Sequence, residues 1–423
     1  MKKAIKKIAL LLIVFGIGVG VTLIYTNNKF KVYEEEKPKQ IKKHVDTISM
    51  MLETEANSGN YEMTTASSWP TDGYVFNETL SKCENGSELS WDDTNKMVLM
   101  SGNVSDKCYV YFDIYVPPTI ADFCNSGDTL TTCVKKFGNQ GTDMSNIYIH
   151  NSGLTNGAGD NSYRYAGANP NNYVCFGSNA STCPTDNLYR IIGVFGDQVK
   201  LIKYDYANSN LLGTDGDYST STYSSNSTYK GELTTINRYY WNNSTNKNTW
   251  SESNLNKVNL NQNFINNIGS EWAAKIAETT WKVGGNTDAN VRTIIPSVAY
   301  QNEIVNPVTT NTTDSKTEYK AKVGLMYVSD YGFAAAPSAW TANLNTYNGE
   351  AIKNVNWMYM GLYEWTISRD AGYSNNTFSV SSDGRVNNSY VGNDYGVRPS
   401  FNLESAITYV SGSGSANDPI LIN

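Results

Sequence analysis

Apolar residues run without a charge over residues 8–25, directly behind Lys2, Lys3, Lys6 and Lys7. A run of this length falls among the roughly 17–25 residues that span a hydrocarbon layer, and leading lysines predict a cytoplasmic N-terminus. It exceeds a signal-peptide core, and Tyr25-Thr26-Asn27 offers no small-residue cleavage site. Residues 1–28 are therefore expected to be an uncleaved single-pass membrane anchor, with residues 8–25 as the membrane partner. A charged stalk follows over 29–60, in which residues 45–52 carry the apolar spacing of a short helix. Over 61–116 the pattern turns to short alternating runs at 73–76, 96–100 and 108–113, split by turn signals at Asn85-Gly86 and Asp92-Asp93-Thr94-Asn95. That predicts a small all-β, sandwich-like domain, which Pro117-Pro118 ends.

Residues 117–187 read as a Gly/Asn-rich connecting region, with a strong turn signal at Asn169-Pro170-Asn171. Two β-branched runs at 188–195 and 198–204, joined by Gly196-Asp197, predict a tight hairpin. Helical spacing appears at Leu260, Phe264, Ile265 and Ile268, and again at Trp272 and Ile276 after Ser270 as a candidate N-cap. Strands are expected at 323–328 and 357–367. Alternation of both element types makes 188–423 an α+β module.

Composition narrows the function. Lys+Arg is outnumbered by Asp+Glu, 33 to 40, which argues against a nucleic-acid partner. The chain has 2 His, so the usual general base and the commonest metal ligand are nearly absent. No G-x-S-x-G elbow surrounds a serine, and no catalytic residue, metal or cofactor is expected. The six cysteines, Cys83, Cys108, Cys124, Cys133, Cys175 and Cys183, lie beyond the apolar run and contain no CxxC pair. An even count on the outer side of a membrane reads as disulfides. Their order favours Cys83–Cys108, Cys124–Cys133 and Cys175–Cys183.

The C-terminal motifs are the most specific. Trp365-Thr366-Ile367-Ser368-Arg369, Val380-Ser381-Ser382-Asp383-Gly384-Arg385-Val386 and Gly396-Val397-Arg398-Pro399 together resemble a bacterial extracellular domain of unknown function with a W-x-x-S-R, V-x-x-D-G-x-V and G-V-R-P pattern. With residues 187–193 and 324–332 the resemblance covers 148–423. The closing Gly-Val-Arg-Pro is also similar to the end of the C-type-lectin-like fold of formylglycine-generating enzymes, which implies a C-lectin-like module. The cysteine pair of that enzyme has no counterpart after Cys183, and the calcium-binding Glu-Pro-Asn of sugar-binding lectins is absent.

Trp357, Tyr359, Trp365, Tyr373 and Tyr390 are the candidate ligand-binding aromatics, able to stack on a sugar, although aromatics at strand spacing also build cores. Arg369 and Arg398 sit in apolar stretches and are expected to be structural, paired with Asp383 or Asp330. The chain is thus expected to be a cell-membrane protein whose extracellular module binds a surface glycan or a protein. Two rivals remain. One is a cell-wall hydrolase or transferase pairing Glu364 or Asp370 with Asp383 or Asp394, and the other is a structural subunit of a surface assembly.

Overall fold

The structure, a computed structural model, describes residues 48–103, 105–307 and 316–423. The apolar run at 8–25 lies outside them. Among the described residues no helix is long and apolar enough to cross a membrane. The chain divides into two compact units, Met1–Pro117 and Pro118–Asn423.

In the first unit the strand Cys108–Ile114 alternates buried and half-buried positions and is the hub of a five-stranded sheet. Ile48–Glu53 pairs with it in parallel, and Tyr74–Phe76 and Lys82–Cys83 pair with it antiparallel. Of the short helix expected over 45–52, the described residues 48–52 are therefore part of a strand. Their alternation buries Ile48 and Met50 beside Val110 and Phe112, a contact available only to a period of two. The hairpin of Glu88–Asp92 with Met97–Ser101 adds Val98 to this core. Its turn is closed by Asp92 Oδ1, which accepts the Thr94 and Asn95 amides at 3.0 Å.

The second unit is built on a seven-stranded sheet. In order across it stand Val323–Gly324, Ser400–Asn402, Gln198–Lys203, Leu188–Phe195, Tyr163–Tyr165 and Ile147–Ile149, with Tyr173–Cys175 also paired to Leu188–Phe195. The Gly/Asn-rich stretch 117–187 thus contributes three strands to the same sheet as the hairpin that follows it. Leu188–Phe195 is buried at its first seven positions, because the sheet carries core on both faces. A register shift between Ile191 and Gly193 lets Ile191 and Val194 join one cluster and Ile192 the other. Gly193 is required there, since a Cβ would lie 2.4 Å from the Tyr163 carbonyl oxygen. Gly196-Asp197 makes the two-residue turn, with Gly196 at φ 64°.

The unit also holds a four-stranded sheet of Gly285–Asn286, Glu364–Asp370, Asn376–Val380 and Val386–Tyr390, a three-stranded sheet of Tyr218–Ser224, Thr235–Tyr240 and Asp394–Tyr395, and two two-stranded sheets, Thr279–Lys282 with Glu318–Ala321 and Tyr409–Ser411 with Leu421–Ile422.

The expected α+β, C-lectin-like class is corrected: the described chain is mostly β-sheet with few, short helices. Among the described residues no helical element exceeds the 10 residues of the π-helix Leu255–Phe264. Polar and glycine residues interrupt the periodicity that would extend them. Ser209–Leu212, for example, is capped by the Asn208 side chain and stopped by Gly213 at φ 77°. Ser270 is not a cap but the first residue of Ser270–Ala274, behind Gly269. The strand expected at 323–328 covers only Val323–Gly324, and residues from Val328 enter the helix Val328–Ala334. All six cysteines are paired as their order suggests, Cys83–Cys108, Cys124–Cys133 and Cys175–Cys183.

Candidate functional site

Arg190 stands alone as a charge in the apolar strand Leu188–Phe195, opposite Tyr173 of the neighbouring strand. Its side chain is 4% exposed. Nε donates to Asn172 Oδ1 at 2.7 Å, and Nη2 donates to the Pro170 carbonyl at 2.9 Å and to Asn169 Oδ1 at 3.4 Å. The turn Asn169-Pro170-Asn171 is therefore an acceptor for this guanidinium. The guanidinium also lies over the rings of Tyr173, at 4.3 Å, and Trp357, at 4.6 Å. Both rings favour the cation. Among the described residues Arg190 has no carboxylate partner, and burial lowers its pKa to about 10, which leaves it charged at neutral pH.

This guanidinium opens onto a cleft of about 310 Å³ lined by Tyr173, Tyr204, Lys230, Lys353, Trp357 and Tyr359 among others. The lining contains three cationic residues and no acid. Trp357 is positioned by its indole, which donates to the Tyr165 carbonyl at 2.9 Å, and Tyr359 by its hydroxyl, which donates to the Ser382 carbonyl at 2.7 Å. Two of the five candidate aromatics thus meet in one cleft. The Trp357 face is already covered by Arg190, so the cleft presents a held cation rather than a bare stacking platform.

The other three are elsewhere. Trp365 is fully buried, its indole donating to the Tyr239 carbonyl at 2.7 Å and its ring 4.3 Å from that of Tyr395. Tyr373 and Tyr390 are exposed. Tyr390 pairs with Asn376 at the end of the hairpin opposite to Val380 and Val386, and so opposite to the turn that holds Tyr359. Sequence reasoning missed Arg190, Tyr173 and Tyr204. The signal for Arg190 was its isolation in an eight-residue strand otherwise without charge.

Arg398 is buried with Nε 2.8 Å from Glu364 Oε1, Nη2 2.8 Å from the Met358 carbonyl and Nη1 3.4 Å from that of Tyr204. Its carboxylate partner is therefore Glu364, in place of the expected Asp383 or Asp330. Arg369 is buried and donates to the Lys316 carbonyl at 3.0 Å. Asp383 caps its own turn and pairs with the exposed Arg385. The four carboxylates considered for hydrolysis are each tied to a partner of their own: Glu364 to Arg398, Asp370 to Asn388, Asp383 to Arg385 and Asp394 to Arg238.

Residues 198–405 match the family model described as Domain of unknown function (DUF6273). No curated protein and no solved structure matches the chain. Tyr204, Lys353, Trp357 and Tyr359 lie inside the matched segment, whereas Tyr173 and Arg190 lie before it. The chain therefore carries a domain of unknown function over 198–405, and the cleft is assembled partly from residues ahead of that domain.

Proposed function

We propose that residues 118–423 form a ligand-binding module that works in an oxidising compartment outside the cytoplasm and holds an acidic saccharide through Arg190. The observation that carries this reading is a buried guanidinium with no carboxylate partner among the described residues, held against two rings at the wall of an acid-free cleft. A buried charge is normally paired, and the missing counter-ion is supplied by a ligand carboxylate. The cleft is the size of one sugar ring with a substituent, and its aromatic walls and amides suit hydroxyl and ring-edge contacts. Three disulfides support the compartment.

Calorimetric titration of the purified protein with uronic-acid oligosaccharides and with their neutral counterparts tests the proposal. The acidic series is expected to bind, more weakly as salt rises, and Arg190→Ala to lose about tenfold or more in affinity, the worth of a charge-assisted hydrogen bond. Equal binding of both series, or an Arg190→Ala variant that binds as the parent does, would sink it.

A further inference from the structure

A second group of buried charges lies in the same unit. Lys200, in the strand Gln198–Lys203, and Asp330, in the helix Val328–Ala334, are 130 residues apart in sequence, yet Lys200 Nζ is 2.5 Å from Asp330 Oδ2. The two side chains are 6% and 3% exposed. Nζ also lies 4.6, 5.3 and 5.7 Å from the ring centres of Tyr327, Trp281 and Phe195. Arg164 Nη1 lies 3.7 Å from the other carboxyl oxygen, and the Tyr327 amide donates to Oδ2 at 2.9 Å. Glu303, buried at the helix start, accepts the Val328 and Ser329 amides and the Ser368 hydroxyl.

Such a pair has two states. As ammonium and carboxylate, both charges are stripped of water, and burial drives the Lys200 pKa down. As amine and carboxylic acid, the pair sets a nucleophile against an electrophile within a cage of rings. Oriented groups held in this way react with effective concentrations on the order of 10⁵ M or more.

We propose that Lys200 Nζ and Asp330 Cγ are joined by an intramolecular amide bond, formed by condensation with loss of one water. The amine lone pair attacks Cγ, the C–N bond forms, and one carboxyl C–O bond breaks. The leaving oxygen departs as water with one proton from the acid and one from the nitrogen. No oxidant or activating group is consumed. Arg164 faces the oxyanion that develops on the remaining carboxyl oxygen. Glu303, which burial raises to about 7, is a proton-holding group within electrostatic reach of both reactants. The adjoining cavity of about 200 Å³ takes up the released water. Condensation removes one positive and one negative charge from the interior and leaves Arg164 balanced by Asp160, 2.7 Å away.

Intact-mass measurement of the reduced, denatured protein tests this directly. The expected mass is one water below that of the sequence, and proteolysis is expected to give one branched peptide joining the segments around residues 200 and 330. The deficit is expected to vanish in Lys200→Arg and to be incomplete in freshly made Glu303→Gln. Wild-type protein at full sequence mass with the two segments in separate peptides overturns the proposal. So does a deficit that persists in Lys200→Arg, which places the lost water elsewhere.

Discussion

Two arginines buried close together in the second unit are treated in opposite ways. Arg398 is enclosed with a carboxylate, and although burial pulls its pKa down, the Glu364 charge outweighs that and the net direction is upward. Arg190 has only carbonyl and amide oxygens and two aromatic faces, and burial carries it downward. The first arrangement completes itself. The second is complete only when something enters the cleft, so the contrast separates a residue that holds the fold from one that receives a ligand.

The largest effect is expected at the closed pair. Arg398→Ala leaves Glu364 buried and uncompensated and frees two carbonyls, so stability should fall by about 3–5 kcal/mol. Thermal unfolding, or loss of soluble expression, measures it. A variant that melts with the parent would show that Glu364 is relieved by protonation at no cost, and would erase the contrast.

A buried, uncharged imidazole tests the same logic with pH. His150 is fully buried, accepts the Ala158 amide at 3.0 Å on Nδ1, and is pushed by burial, then by Arg164, from 6.5 to about 2. The folded protein therefore binds its proton later than the unfolded chain. Stability is retained above about pH 6.5 and lost as pH falls, at about 1.4 kcal/mol per unit. The difference between wild type and His150→Gln in denaturant melts from pH 7 to 4.5 isolates this term. A flat difference would mean that the imidazole is solvated.

Arg190→Ala should cost about 1 kcal/mol, since the lost bonds to carbonyls are offset by removal of an unpaired charge. A loss as large as that at Arg398 would show that the cleft arginine also holds the fold. Smallest of all, Arg385→Ala breaks an exposed pair, with side chains 46% and 38% accessible, and the melting temperature should not move.

Much of the local structure was legible. Gly196-Asp197 between β-branched runs gave the hairpin, and cysteine order gave the pairing, because both depend on neighbours in sequence. Distant partners were not. Glu364 lies 34 residues from Arg398, while Asp383, nearer in the chain, is drawn into its own turn. Trp365 looked like a sugar platform because strands usually leave one face in solvent, yet all seven positions of Glu364–Asp370 are buried. Residues 45–52 looked helical because a mixed apolar run fits either period, and the parallel partner of 48–52 comes only at Cys108–Ile114. The cleft was half visible, as Trp357 and Tyr359, because a lone arginine in an apolar strand carries no mark of what it faces.

The order of strands in the large sheet also sets a timetable. Gln198–Lys203 sits between Leu188–Phe195, made just before it, and Ser400–Asn402, made long after, with Ser400 bonded to the Leu201 carbonyl across 199 positions of chain. One of the two hydrogen-bonding edges of that strand stays vacant until residues 400–402 have been made. Folding of this unit is thus held back by synthesis and then by closure of a long loop, a topology that assembles slowly. The disulfides Cys124–Cys133 and Cys175–Cys183 span only 9 and 8 positions and need no such wait. Until that sheet closes, the chain is most exposed to proteases and to pairing with its own copies.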